Sequence, residues 1–289
     1  MTVGFAGIGI MGAPMAGRLL DAGVPLAVWS RHTESCAGLV ARGAALAADP
    51  DALFAASDTV ILMLRDEPAT DEVLGRGGEA FARRVAGRRV VVMGTNSPAY
   101  STALDAEIRA AGGRYVEAPV SGSRVPAEQG RLVLMLAGAD DADLTETADL
   151  LAPLGVAAVP CGPVPGALRT KLAVNHYMMA MVAALAESIA TAEAAGVDLD
   201  AMLRVLEASP MDSAIGRVKG AKLVSGDESA QAAVSDVVKN CGLSLDAARA
   251  AGATTPILEL VASLYGRTAE AGFADADMVA VARLFRSGG

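Results

Sequence analysis

Three glycines near the start of the chain have the spacing of a phosphate-binding turn. Gly7, Gly9 and Gly12 form a Gly-x-Gly-x-x-Gly pattern, with Ile10 and Met11 between the last two, after an apolar segment and before a helical pattern. The first glycine permits a tight turn, the second lets backbone approach a pyrophosphate, and the third lets helix and strand pack closely. The phosphate then rests on the helix N-terminus. An ordinary strand-to-helix turn is the alternative interpretation.

Ser30, Arg31 and Thr33 follow the second apolar segment and bear on which dinucleotide the turn would bind. NAD-binding domains usually place Asp or Glu there for the ribose 2′-hydroxyl, whereas this chain has no acid before Glu34. A guanidinium and two hydroxyls suit a 2′-phosphate, so the sequence favours NADPH over NADH. The alternative is that Arg31 is a solvated loop charge.

Apolar segments alternate with helical patterns along the first half of the chain. This alternation predicts right-handed crossovers and an α/β fold, a doubly wound, mostly parallel Rossmann-type sheet with helices on both faces. The predicted strands are a short one that runs from Thr2 into the glycines, then residues 25–30, 57–64, 88–93, 114–117, 131–137 and 157–160. Early helices are predicted at residues 13–22 and 34–42.

The pattern changes after residue 162. Residues 168–195 predict one long helix, and residues 199–209, 235–251, 256–271 and 275–285 predict four more, with no clear strand between them. We therefore predict an NADP-binding Rossmann domain over residues 1–162. An all-helical substrate and dimerisation domain would follow over residues 163–289, joined to the first by the long helix.

Composition and charge exclude several classes of function. The 289 residues carry a formal net charge of −9, which opposes nonspecific binding to nucleic acid or an anionic membrane. The longest apolar run, residues 177–186, is shorter than the ~20 residues of a membrane-spanning helix, and no basic segment precedes the apolar start. Three separated cysteines and two histidines indicate a reducing compartment and no metal site. We expect a cytoplasmic, metal-free protein.

Three segments carry motifs in a fixed order. They are the glycine turn with its flanks (residues 3–16), the run Glu117-Ala-Pro-Val-Ser-Gly-Ser-Arg-Val-Pro-Ala-Glu-Gln-Gly130, and the run Gly166-Ala-Leu-Arg-Thr-Lys-Leu-Ala-Val-Asn175. Together they resemble the β-hydroxyacid dehydrogenase family, which includes 3-hydroxyisobutyrate dehydrogenases, tartronate semialdehyde reductases and glyoxylate/succinic semialdehyde reductases. The Ser-Gly-Ser and Pro-Ala-Glu of the second segment are closest to the glyoxylate/succinic semialdehyde branch. The resemblance covers essentially the whole chain.

The third segment resembles the family's catalytic helix. The resemblance implies that Lys171 is the general acid and that Asn175 orients the lysine and the substrate oxygen. The two residues are four apart, so both lie on one face of the helix. Their neighbours are apolar, and desolvation there would lower an ammonium pKa towards neutrality, as general acid catalysis needs. A solvated lysine and a surface or capping amide are the alternatives.

The second segment resembles the family's substrate-binding loop. Ser121, Gly122 and Ser123 would hold a carboxylate through a hydroxyl and backbone N–H groups. Arg124 either contacts the acid group or stays in solvent. The resemblance also implies that Leu64 and Arg65, where the third strand ends, line the adenosine side of the cofactor cleft. It implies that Thr95, after the fourth strand, contacts the nicotinamide; simple turn chemistry is the alternative.

The resemblance also implies a second active-site lysine, Lys239, near the nicotinamide ribose and the substrate. The family usually follows this lysine with an aspartate, whereas Asn240 stands here. The missing carboxylate removes a charge partner of Lys239 and leaves its exact role open.

The resemblance and the residues together predict an NADPH-dependent reductase of a small aldehyde acid, of glyoxylate or succinic semialdehyde type, with Lys171 as the proton donor. The alternatives are an NADP-dependent 3-hydroxy-acid dehydrogenase, an imine reductase and a non-catalytic NADPH-binding module. Imine reductases typically have Asp or Tyr at the position of Lys171, which argues against that alternative. The apolar helical half, residues 256–271 in particular, predicts a homodimer or a larger homo-oligomer.

Overall fold

The computed structural model describes residues 2–286, and its contacts divide the chain into two compact units, Met1–Lys171 and Leu172–Gly289. The first unit is built on a parallel six-stranded sheet. Its strands are β1 (Val3–Ala6), β2 (Leu26–Trp29), β3 (Ala45–Leu46), β4 (Thr59–Leu62), β5 (Arg89–Val92) and β6 (Arg114–Glu117). Their order, β3-β2-β1-β4-β5-β6, is that of the doubly wound dinucleotide-binding fold.

Helices cover both faces of this sheet because its strands are apolar on both sides. In β5, Val91 packs in the same buried cluster as Leu19, whereas its neighbour Val90 packs with Leu104 and Ile108 in a second cluster. Alternate residues of a strand point to opposite faces, so each face has a core of its own. The helices are α1 (Gly12–Asp21), α2 (Ala37–Val40), α3 (Pro50–Ala55), α4 (Glu67–Leu74), α5 (Ala80–Val85), α6 (Pro98–Ala110), α7 (Arg124–Glu128) and α8 (Asp141–Leu151).

A smaller three-stranded sheet follows β6. Its strands are β7 (Val120–Ser121), β8 (Leu132–Leu136) and β9 (Gly155–Pro160), with β7 antiparallel and β9 parallel to β8. A bridge between Glu117 and Ala137 connects the two sheets. Glu117, at the end of β6, is therefore held by backbone hydrogen bonds in both directions.

The second unit is helical. The long helix α9 (Gly166–Ala194) starts in the first unit and continues into the second. Met179, Val182 and Ile189 of α9 are buried in one core with Leu258 and Val261. The other helices are α10 (Leu199–Ala208), α11 (Ala214–Ser225), α12 (Val234–Ala250) and α13 (Pro256–Thr268), followed by a π-helical turn (Ala269–Phe273) and a 3-10 helix (Met278–Leu284).

The predicted fold class is confirmed, with local corrections. The sequence did not indicate β3, β7 or α11. The helix predicted over residues 275–285 is a 3-10 helix over Met278–Leu284, and residues 34–42 form a 3-10 turn followed by the single turn of α2. The predicted domain boundary at residue 162 stays a prediction.

Helix α9 is long and apolar enough to span a membrane when judged by length and composition alone, and it is the one such helix among residues 2–286. The core helix of a soluble protein passes the same test. Its residues Met179, Val182, Ala183, Ala186 and Ile189 are buried in the core of the second unit.

Candidate active site

Five strands of the large sheet, β1, β2, β4, β5 and β6, end in one row. Ala6 of β1 pairs with Trp29 of β2 on one side and with Leu62 of β4 on the other. Leu62 pairs with Val92 of β5, and Val92 pairs with Glu117 of β6. The chain leaves the sheet at the same edge after each of these residues. Ligands of open parallel sheets bind beyond this carboxyl edge. The structure therefore brings the predicted cofactor residues of four loops to one edge of one unit.

The glycine turn leaves an open space at its middle glycine. A Cβ on Gly7, whose φ is +97°, would lie 2.2 Å from the Met63 carbonyl oxygen, and a Cβ on Gly12 would lie 1.8 Å from the Gly7 oxygen. A Cβ on Gly9 would meet no atom within 4 Å. The outer glycines are thus required by the turn itself, whereas Gly9 keeps space clear in front of it. This is the cradle that a pyrophosphate fills.

The N-terminus of α1 suits an anion. Met11 occupies the N-cap position without a side-chain hydrogen bond, and the first turn contains no acidic residue. Ile10 is exposed beside it. The partial positive charge of a helix N-terminus favours a phosphate at this place. The residues present therefore fit a dinucleotide.

Arg31 has a partner in the structure. Its Nη2 atom lies 3.1 Å from Oε2 of Glu72, which belongs to α4, and both side chains are more than half exposed. Ser30 is half-buried at the end of β2, and Thr33 starts the 3-10 turn. Exposed ion pairs contribute little to stability, so Arg31 can exchange the carboxylate for a phosphate at small cost.

A hydrogen bond connects the segments that follow β4 and β5. The backbone N–H of Ser97 donates to Oε1 of Glu67 over 2.8 Å. Leu64 is half-buried and packs on the core, Arg65 is exposed, and Thr95 is half-buried. The predicted nicotinamide-side and adenosine-side residues thus lie on two loops that share a hydrogen bond.

The predicted substrate loop begins at Ser121 in β7. Gly122 has a φ of +134°, and a Cβ there would lie 2.6 Å from the Leu132 side chain. Ser123 precedes α7, and its hydroxyl makes no capping bond to that helix. The side chain of Arg124 is mostly exposed and bonds Glu128 at 2.8 Å, which supports the solvent interpretation of Arg124.

Lys171 and Asn175 are brought together on α9, one turn apart. Lys171 is half-buried, and burial lowers the pKa of its ammonium from 10.5 to about 8. The Asn175 side chain is buried, at 4% exposure. A lysine with this pKa holds its proton at neutral pH and releases it readily, which is what a general acid requires.

Lys239 and Asn240 lie on α12, and both are half-buried. The Asn240 side-chain N–H donates to the Asp236 carbonyl 2.8 Å away, one turn earlier on the same helix. Its buried Oδ1 atom has no hydrogen-bond partner. The amide that replaces the family's usual carboxylate is therefore bonded to its own helix. No group of three or more potential metal ligands occurs within residues 2–286.

Glu117 and Glu72 are two residues whose contacts the sequence did not reveal. Glu117 stood in the substrate-loop motif, yet its carboxylate bonds the start of α9, fifty residues further along the chain. An acidic residue at the end of an otherwise apolar strand was the available signal. No local pattern pairs Glu72 with Arg31.

Three features define a dinucleotide-binding domain of Rossmann type: the strand order, the open space at the glycine turn, and the N-terminus of α1, which suits an anion. Residues 2–162 match the family described as the NAD binding domain of 6-phosphogluconate dehydrogenase. Residues 167–285 match the family described as the NAD-binding domain of NADP-dependent 3-hydroxyisobutyrate dehydrogenase. The chain belongs to the β-hydroxyacid dehydrogenase family of NAD(P)-dependent oxidoreductases.

Individual relatives cover between 76% and 99% of the chain. Glyoxylate/succinic semialdehyde reductase 2 (chloroplastic) of Arabidopsis thaliana is 32% identical over 97% of this chain and 78% of its own length. Glyoxylate/succinic semialdehyde reductase 1 of the same plant is 34% identical over 76% of each chain. The crystal structure of 3-hydroxyisobutyrate dehydrogenase from Salmonella typhimurium superposes with a TM-score of 0.89 at 28% identity, covering 99% of this chain and 100% of the other.

Proposed function

We propose that this protein is an NADPH-dependent reductase that converts a small aldehyde acid, of glyoxylate or succinic semialdehyde type, into the hydroxy acid. Lys171 carries the proposal, because its half-buried ammonium has a pKa of about 8. Two relatives at 32% and 34% identity bear glyoxylate/succinic semialdehyde reductase in their names. Both support this substrate class over others in the family.

Each proposed residue has one task. Bound NADPH supplies the hydride that reduces the carbonyl carbon. Lys171 donates its proton to the oxygen that gains negative charge, which lowers the barrier without a metal. Asn175, one helical turn along, orients the lysine and that oxygen. Ser121, Gly122 and Ser123 hold the substrate carboxylate through hydroxyl and backbone N–H donors.

The reverse reaction, oxidation of a 3-hydroxy acid with NADP, uses the same groups. In that direction Lys171 must be neutral to accept the proton. Reduction therefore slows as the pH rises through about 8, whereas oxidation accelerates over the same interval. The direction of the pH dependence distinguishes whether Lys171 serves as acid or as base.

The test follows the absorbance of NADPH: its loss with glyoxylate, succinic semialdehyde or a cyclic imine as separate substrates, and its gain with 3-hydroxyisobutyrate plus NADP. We expect turnover of at least one aldehyde acid and no turnover of the imine. Turnover of the imine alone would overturn the proposal in favour of an imine reductase. Tight NADPH binding without turnover of any of them would favour the non-catalytic module.

Arg31→Ala is expected to weaken NADPH binding about tenfold and to leave NADH binding unchanged, because a guanidinium–phosphate bond contributes on the order of 1.5 kcal/mol. Glu72→Gln is the matched variant: it frees Arg31 from its 3.1 Å ion pair and should tighten NADPH binding up to about threefold. Dissociation constants for both cofactors, measured by fluorescence titration, test this. Equal losses for NADPH and NADH in Arg31→Ala would contradict a 2′-phosphate contact.

We also propose that the protein is a homo-oligomer. Ile257 and Leu260 of α13 and Tyr177 of α9 are each more than 60% exposed, and large exposed apolar side chains on one domain are typical of subunit interfaces. Light scattering coupled to size exclusion should give at least twice the 29.1 kDa chain mass. Ile257→Glu combined with Leu260→Glu should lower that mass. A wild-type particle of one chain mass would exclude this proposal.

A further inference from the structure

Glu117 is a buried carboxylate that the proposed reaction does not use. Its exposure is 1% although it is an ionisable group, and burial raises its pKa while three hydrogen bonds oppose that rise. Burying a carboxylate is costly unless its oxygens are hydrogen-bonded. The hydrogen bonds of Glu117 therefore identify the elements that its carboxylate joins.

Both oxygens of Glu117 accept hydrogen bonds from different elements. Oε2 accepts the backbone N–H groups of Ala167, at 3.1 Å, and Leu168, at 3.2 Å. Oε1 accepts the hydroxyl of Ser101 of α6. The Ser101 hydroxyl also contacts the phenol oxygen of Tyr115, 2.7 Å away. All five residues are at most 1% exposed, so water does not compete for these bonds.

Helix α9 has no cap of its own. Residues 162–165, Gly-Pro-Val-Pro, precede it and offer no side-chain oxygen, whereas most helices begin with a local Ser, Thr, Asp or Asn. Two of the first N–H groups of α9 are satisfied by Glu117 instead. The first turn of α9 is therefore hydrogen-bonded to the end of β6, which is distant in the sequence, and not to a side chain of the loop that precedes the helix.

The strand end that holds the helix is itself immobilised. The Glu117 N–H donates to the Ala137 carbonyl at 2.9 Å, and the Ala137 N–H donates back at 3.0 Å. Glu117 also stands in the row of strand ends from which the cofactor loops leave the sheet. The carboxylate thus connects the start of α9 to the frame that positions the cofactor loops.

Lys171 follows the two clamped residues by three and four positions, one turn of the helix. A shift of the helix start would therefore carry the ammonium with it. We propose that Glu117 is a positioning residue for Lys171: its carboxylate fixes the first turn of α9 against β6 and thereby the place from which Lys171 donates its proton. This inference rests on the proposed role of Lys171.

Two substitutions separate geometry from charge. In Glu117→Gln the amide oxygen can accept both helix N–H groups, and its NH2 can donate to Ser101, whose hydroxyl then turns towards Tyr115. In Glu117→Asp the side chain is one methylene shorter and cannot hold both sheet and helix in place. Asp140→Ala is the matched control, because Asp140 caps α8 through the N–H groups of Ala142 and Asp143 and touches no proposed site residue.

We expect Glu117→Asp to lower kcat about 30-fold, since a displacement of about 1 Å can cost 10²-fold in rate. The NADPH dissociation constant should stay within about twofold. Glu117→Gln should keep kcat within about threefold, and Asp140→Ala should lower the melting temperature without lowering kcat per folded molecule. If Glu117→Asp lowers the melting temperature but leaves kcat per folded molecule unchanged, as is expected of Asp140→Ala, then Glu117 only stabilises the fold and the inference is overturned.

A second readout needs neither substrate nor cofactor. The chain has four lysines, Lys171, Lys219, Lys222 and Lys239, so each can be followed by NMR after 13C-methylation. Lys171 should titrate near 8 in the wild type and in Glu117→Gln, and closer to 10 in Glu117→Asp, because a loosened helix start admits water. An unchanged titration in Glu117→Asp would overturn the inference.

The two readouts distinguish failure of the inference from failure of the proposed function. A wild-type protein that reduces no aldehyde acid, with the lysine titration still displaced in Glu117→Asp, would refute the function and leave the positioning role standing. A wild-type protein that reduces the acid, with kcat and titration both unmoved in Glu117→Asp, would refute the positioning role alone.

Discussion

Lys171→Met should lower kcat for the reduction by about 10²- to 10⁴-fold, the range that a general acid contributes. Methionine has a similar length and retains the packing, but it has no proton to donate. The NADPH dissociation constant should remain within about threefold, because no phosphate contact is removed. Steady-state kinetics and fluorescence titration on the same preparation test this, with Arg169→Met, an exposed change two residues away on α9, as the control.

The same variant should be more stable than the wild type at neutral pH. The folded pKa of Lys171, about 8, is below its ordinary 10.5, so the unfolded chain binds the proton more tightly. Keeping the ammonium charged in the fold costs on the order of 1 to 3 kcal/mol below pH 8. This cost disappears as the pH rises from 8 to 10.5. Lys171→Met should therefore unfold at higher denaturant concentration at pH 7, and the difference should vanish near pH 10.5.

Two results would contradict this account of Lys171. One is a variant that keeps more than a tenth of wild-type kcat, since the proton would then come from another group or from water. The other is equal stability of variant and wild type at pH 7, which would mean that the ammonium is well solvated. Arg169→Met should change neither quantity.

Gly9→Ala should weaken NADPH binding about tenfold or more, a loss of roughly 1.4 kcal/mol or above, while the fold remains intact. The added Cβ meets no protein atom within 4 Å, so it occupies the space in front of the turn where a pyrophosphate would approach. Gly12→Ala should instead prevent normal folding of the turn, because its Cβ would lie 1.8 Å from the Gly7 oxygen. Calorimetric titration with NADPH and thermal unfolding separate the two effects.

Gly38→Ala is the matched control for Gly9→Ala. Gly38 also has open space at its Cβ position, but it lies in α2, away from the turn in the sequence. We expect its cofactor affinity to be unchanged and its stability to rise slightly, since alanine favours a helix. If Gly9→Ala binds NADPH as tightly as Gly38→Ala does, the pyrophosphate does not lie over Gly9.

The sequence predicted those parts of the fold whose signals are local. Strand β1, the glycines and α1 follow one another within 21 residues, and each has a characteristic pattern. Strands β3 and β7 are two residues each, too short for alternation to be seen. Helix α11 contains Gly216 and Gly220, which weaken a helical pattern. Residues 278–282 are all buried, so no apolar stripe distinguishes an α-helix from the 3-10 helix found.

The residues of the candidate site likewise fall into those whose proximity follows from local spacing and those that only the fold brings together. Lys171 and Asn175 lie within one helical turn, so their common face could be predicted from spacing alone. The Glu72 partner of Arg31 and the Ala167 and Leu168 partners of Glu117 come from distant elements. Only the three-dimensional arrangement of β2 with α4, and of β6 with α9, brings these groups together.

The location of the two predicted recognition segments on different sheets has a consequence for how this enzyme could be altered. We propose that the loop after β2 of the large sheet sets nucleotide preference, and that the segment from Ser121 to Ser123, at the end of β7 in the small sheet, recognises the acid. Substitutions at Ser30 to Thr33 and at Ser121 to Ser123 should therefore act independently, with additive free energies. Cofactor choice and substrate choice can then be redesigned, or drift during evolution, one loop at a time.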